Sequence, residues 1–137
     1  MPEAGGRVRI VVAPFARSDI REALIWSQER FGESASARYR ALLKQALRYI
    51  AADPERPGSK ERPDLARGIR TYHLFFSRDR ARSELGMVKK PRHFLVYRRR
   101  GEDVIDVLRM PHDSRDLERH LPEEYLRIRH PPDQDRT

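Results

Sequence analysis

The chain has 137 residues, no cysteine, and 29 Lys and Arg against 21 Asp and Glu, for a formal charge of +8. That length accommodates one domain with a real apolar core, and the lack of cysteine excludes disulfides and thiolate metal sites. A sequence pI near 10.4 implies a field attractive to nucleic acid or to an acidic partner protein, although interspersed acids also point to a surface laced with ion pairs.

Val8, Ile10, Val11 and Val12 make RVRIVVAP, residues 7 to 14, read as a first strand ended by Pro14. A helix is expected from Phe15 to Phe31, where Ala16, Ile20, Ala23, Leu24, Ser27 and Phe31 recur at three- and four-residue steps. Asp19 and Glu22 are read as first-turn acids that favour the helix dipole, and Gly32 as the stop. Ser34 is the expected cap of a second helix, with Ala35, Tyr39, Leu42, Leu43, Ala46 and Ile50 as its apolar stripe. The short joint between the two helices predicts an antiparallel hairpin.

Prolines and glycines in DPERPGSKERPDLARG, residues 53 to 68, read as a loop without regular structure. IRTYHLFF (69 to 76), RHFLVYRR (92 to 99) and VIDVLRM (104 to 110) read as three further strands, antiparallel, with RGED (100 to 103) as a tight turn. Between the first two of these, residues 77 to 91 form a basic connection too long for a hairpin turn. Asp113 or Ser114 is positioned to cap a short helix through Leu117 and Leu121. The expected domain covers residues 1 to 122, followed by a polar tail, 123 to 137, whose end is expected to be disordered.

No apolar stretch approaches the roughly 20 residues of a membrane span, and MPEAGGRVRI lacks the apolar core of a secretory signal, so a cytoplasmic protein with no membrane contact is expected. The five histidines show no ligand spacing; His120 and His130 lie ten residues apart, and neither His73 nor His93 has a spaced partner. No metal or other cofactor is therefore expected. Metal-free RNA cleavage needs a base, an acid and cations around the reacting phosphate, and Arg70, His73, Arg98, Arg109, His112 and Arg115 supply raw material for it. Against this stand structural readings. Arg109 alternates with Ile105 and Val107, so it should be half buried and paired, with Asp116 or Glu118 as partners. His112, where a strand turns toward a helix, is read as a hydrogen-bonding fastener of that corner.

The order of elements, with FGES breaking the hairpin, DPERPG closing the second helix, PDLARGIR entering the next strand and FLVYRRRGEDVIDVLRMPHDSRDLERHL at the end, resembles the ParE branch of the ParE/RelE toxin superfamily. The family's Arg-x-x-His element and following Arg-Asp pair match Arg109, His112, Arg115 and Asp116. Pro111, where a small apolar residue is usual, and the long connection 77 to 91 depart from the pattern. The resemblance implies an α+β fold of β-α-α-β-β-β order: a small twisted antiparallel sheet with the helix hairpin packed on one face. It also implies the toxin of a type II toxin-antitoxin (plasmid stabilisation) system, neutralised by a ParD-like or similar antitoxin.

ParE-like members are associated with poisoning DNA gyrase, with indirect contact to DNA, and RelE-like members with cutting messenger RNA in the ribosome. The Lys/Arg cluster and late polar or aromatic residue of RelE-like nucleases find no residue-by-residue match here; Tyr125 is the only late tyrosine. The binding-type toxin is the first expectation, with no catalytic residue. The alternatives are a metal-independent endoribonuclease using Arg109, His112 and Arg70, and a partner that has lost toxicity within a repressor complex. Candidate target contacts are Arg109, His112, Arg115, Lys89 and Lys90. Candidate antitoxin contacts are Trp26, Ile25, Phe94 and Tyr97, because an exposed Trp beside a helix's inward stripe suits a partner's cover.

Overall fold

The computed structural model describes residues 8–81 and 86–113. Strand β1 (Arg9–Val12) runs directly into α1 (Pro14–Phe31). Pro14 opens that helix rather than closing the strand, because the first helical position needs no N–H donor and suits the fixed φ of proline. At Gly32 the backbone takes φ 95°, the reversal that separates α1 from α2 (Glu33–Ala52). The expected cap at Ser34 does not form: α2 begins at Glu33 straight after that glycine, with no side-chain cap. Ser36 instead ties the hairpin, its hydroxyl donating to the Leu24 carbonyl at 3.1 Å.

All six residues of the expected α2 stripe are buried. On α1 only Ala16, Ala23 and Ser27 are buried, and Phe31 is 65% exposed. The helix pair packs on a five-stranded sheet of order β1-β5-β4-β3-β2, with β2 at Ser59–Glu61, β3 at Ile69–His73, β4 at Phe94–Arg100 and β5 at Val104–Arg109. The result is the expected α+β architecture, with two corrections to its sheet. Strands β2 to β5 form an antiparallel meander, but β1 joins the edge parallel to β5, in register from Arg9 opposite Val104 to Val12 opposite Val107. A strand's own alternation carries no information about its neighbour's direction, which depends here on the helix hairpin's crossover. Second, β2 lies inside the stretch read as an irregular loop. Ser59, Lys60 and Glu61 carry no apolar alternation because this three-residue edge strand buries no face.

The main core fills the space between helices and sheet, with Leu42, Ile50, Tyr72, Leu95, Tyr97, Ile105 and Val107 all fully enclosed. A smaller cluster of Leu65, Ala66, Ile69, Val96 and Leu108 is separate from it, so the Pro/Gly stretch supplies core residues as well as a turn. The strand expected to reach Phe76 stops at His73 and continues as a 3₁₀ turn, Leu74–Ser77, which buries Leu74 and exposes Phe75 and Phe76. No helix among the described residues is long and apolar enough to cross a membrane. The C-terminal helix with Leu117 and Leu121, and the tail, lie outside the described residues.

Candidate functional site

The family-specific element at the end of β5 is assembled from both helices and three strands. Arg109 is half buried and paired, and the described residues bring Asp19 of α1 to it: Nε and Nη2 donate to the two carboxylate oxygens at 2.7 and 2.8 Å. Asp19 Oδ2 also accepts the Met110 N–H at 2.8 Å. Asp116 and Glu118, the expected partners, lie outside the described residues, as does Arg115. Asp19 is thus a latch on the last strand rather than a first-turn acid, since α1 starts five residues earlier, at Pro14. Its position carried a signal: it stands three residues after Ala16 and four before Ala23, both buried, and so on the inward face.

Beyond the strand ends the β4–β5 ladder continues. Phe94 N–H donates to the Pro111 carbonyl at 3.1 Å, Asp113 N–H donates to the Arg92 carbonyl at 2.8 Å, and His93 and His112 face each other between these bonds. Their rings meet edge to face at 5.4 Å, and His112 Nδ1 lies 3.6 Å from Asp113 Oδ1. The Tyr39 hydroxyl accepts the Arg92 N–H at 3.0 Å, which leaves its own proton to donate to His93 Nδ1 at 2.7 Å. Both members are neutral. Burial pushes the Tyr39 phenol up to about 12, and burial, aided by nearby His112, pulls His93 down to about 4.

His73 is fixed similarly. Its Nδ1 accepts the Phe75 N–H at 3.0 Å, so Nε2 carries the proton and donates to Asp113 Oδ2 at 3.0 Å. Arg92 donates to the same carboxylate at 3.1 Å. Burial alone would raise the Asp113 carboxyl, but the bonds from Arg92 and His73 outweigh it and hold it below the usual range. Sequence reasoning missed Tyr39, Arg92 and Asp113 as members of this network. Tyr39 was legible only as a core residue, because helical spacing locates a ring and says nothing of where its hydroxyl ends.

The remaining candidates separate. Arg70 turns to the other edge, donating to the Ser59 hydroxyl of β2 at 2.8 Å. Arg98 and Arg100 both bind buried Asp106, with closest contacts of 3.3 and 2.8 Å. Tyr97 is fully enclosed and its hydroxyl donates to the Pro54 carbonyl at 2.6 Å, so as an antitoxin contact it is corrected: it is a core residue with no surface to offer. Phe94 is half buried against the His73 ring. Ile25 and Trp26 are 48% and 44% exposed on α1 and border two different cavities. Ile25, with Ile10, Val12, Ile20 and Leu24, lines one of about 680 Å³ beside the open edge of β1.

Trp26 lines the other, of about 590 Å³, between the joint of the two helices and residues 86–93. Lys89 and Lys90 border this same cavity, so residues assigned separately to antitoxin and to target come together there. Among the described residues no group of three His, Asp or Glu side chains is placed to hold a metal ion.

A helix hairpin on a small mixed sheet, closed by an Arg109–His112 corner, is a RelE/ParE-like arrangement. The family model described as the ParE toxin of the type II toxin-antitoxin system, parDE, matches residues 10–117, and the chain belongs to that family. It is therefore a toxin of a type II system, and a cognate antitoxin partner follows from that membership. No curated protein matches the chain.

Proposed function

We propose that this toxin acts in the cytoplasm by binding DNA gyrase and stabilising its cleaved complex with DNA, in a plasmid stabilisation system, and that the antitoxin neutralises it by covering its apolar surface. The observation that carries the reading is the commitment of Arg109 to Asp19. A guanidinium held by a carboxylate on both prongs is poorly suited to stabilising a developing phosphorane charge, since the acid neutralises the field it would supply. The corner histidine His93 is likewise buried, neutral and occupied by Tyr39. A covering partner is supported by Phe15, Ile25, Trp26 and Phe31, four large apolar residues left exposed on one helix.

Purified toxin mixed with gyrase and supercoiled plasmid should accumulate linear DNA after protein denaturation, and added antitoxin should prevent it. An unchanged supercoiling reaction, together with message cleavage in a parallel translation assay, would overturn the proposal in favour of the ribosome-dependent nuclease. Unimpaired growth on strong expression, with the antitoxin still bound, would instead mark a chain that has lost toxicity.

A further inference from the structure

The cavity beside Trp26 has a composition that specifies its occupant. It is built from two distant pieces of chain: the joint between α1 and α2, and residues 86–93 at the end of the connection whose length departs from the family pattern. Trp26 and Phe31 meet edge to face at 5.7 Å on one side, with Met87 and Val88 on the other. None of the described lining residues is acidic. Lys89 and Lys90 are exposed at its border, and neither has an ion-pair partner among the described residues. An aromatic hollow thus opens beneath positive charge that the described part of the chain does not neutralise.

We propose that this cavity is the docking site for an acidic segment of the cognate antitoxin carrying one bulky apolar side chain. That side chain enters beside Trp26, and flanking carboxylates meet Lys89 and Lys90. The inference rests on the toxin-antitoxin reading and adds to it the place and chemistry of one contact. Because residues 86–93 form half of the cavity, the contact sets which antitoxin fits. Stacked nucleic-acid bases fit it less well: Arg30 lies over the Trp26 ring at 5.2 Å and Phe31 meets its edge, so the ring is no open platform.

Trp26 is the single tryptophan of the chain, so its emission reports on the cavity. The probe is the purified cognate antitoxin, with any tryptophan replaced by phenylalanine, titrated into the full-length toxin. Binding should shift Trp26 emission to the blue and reduce acrylamide quenching. By titration calorimetry, which needs no tryptophan, Lys89→Glu/Lys90→Glu and Trp26→Ala should each weaken the complex by about tenfold or more, as loss of an interface anchor or of charge complementarity does. The charge-matched pair Lys44→Glu/Arg48→Glu, exposed on α2 and outside the cavity lining, should bind as the parent does. A complex that forms on gel filtration with Trp26 emission and quenching unaltered overturns the docking site and leaves the toxin-antitoxin reading standing. Two folded proteins that form no complex overturn both. Quenching by a single-stranded oligothymidylate that Lys89→Glu/Lys90→Glu abolishes, with Trp26 indifferent to the antitoxin, overturns the proposal in favour of a nucleic-acid site.

Discussion

Asp19 and Arg109, ninety positions apart in the chain, grip each other through two bonds of 2.7 and 2.8 Å and so bind the first helix to the end of the last strand. The side chains are 13% and 20% exposed, dry enough for the pair to matter to stability. Asp19→Ala removes two charge-assisted bonds from a half-buried guanidinium and the acceptor of the Met110 N–H. The expected cost is about 2–4 kcal/mol, or a Tm lower by about 10 °C, read by thermal denaturation. The pair Asp19→Leu/Arg109→Met should lose less than the two single changes summed, because it leaves no uncompensated charge.

That same apolar pair separates structure from function. If Arg109 serves to hold the fold, the folded Asp19→Leu/Arg109→Met protein should still arrest growth on expression. Arrest abolished in a variant whose circular dichroism and melting are intact would make Arg109 a contact to the target.

The burial of His93 predicts a defined loss of stability in mild acid. The unfolded chain takes up a proton on this histidine near 6.5 and the folded chain only near 4, so between those values the unfolded state holds more protons. The stabilisation is fully present above 6.5 and declines as the pH falls toward 4. Denaturant unfolding should show a loss of about 2 kcal/mol on going from about pH 8 to about pH 5 that is attributable to His93. His93→Gln should flatten that portion of the profile, and a profile as steep as the parent's would show that His93 is not its source.

At the other end of β4, Asp106 is almost completely buried between Arg98 and Arg100. The hydrogen bond from Arg100, followed by the charges of both arginines, overcomes burial and holds its carboxyl below 3.8. The contribution is complete above 3.8 and is lost as the pH falls through the lower folded value. Asp106→Asn should cost about 1–2 kcal/mol at neutral pH, a modest figure because Arg100 is half exposed and water screens it. Acid titration of the variant, followed by far-ultraviolet circular dichroism, should show a shallower transition below about pH 4 than the parent.

Helix α2 shows how far the sequence could be read. Its stripe from Ala35 to Ile50 is buried throughout, because a helix's inward face is written in its own spacing. The same reasoning found α1, β3, β4, β5, the turn at Gly101 and a half-buried, paired Arg109. It failed at Ser59–Glu61, a polar edge strand with no pattern to read, and at Tyr97, whose aromatic character fits a core as well as an interface.

The candidate site was legible as residue types and not as partners. Arg109 and His112 stood out locally, while Asp19, Tyr39, Arg92 and Asp113 became members of the corner only when both helices and three strands met there. The sequence by itself determined both helices, the strands β1, β3, β4 and β5, the buried face of α2 and the family, since each of these is encoded within short spans of chain. Only the tertiary structure decided that Asp19 reaches Arg109, that β1 runs parallel to β5, and that Trp26 and Lys89 border one cavity. Those outcomes depend on contacts between residues tens of positions apart, whose pairing is set by how the hairpin crosses the sheet and by no local periodicity.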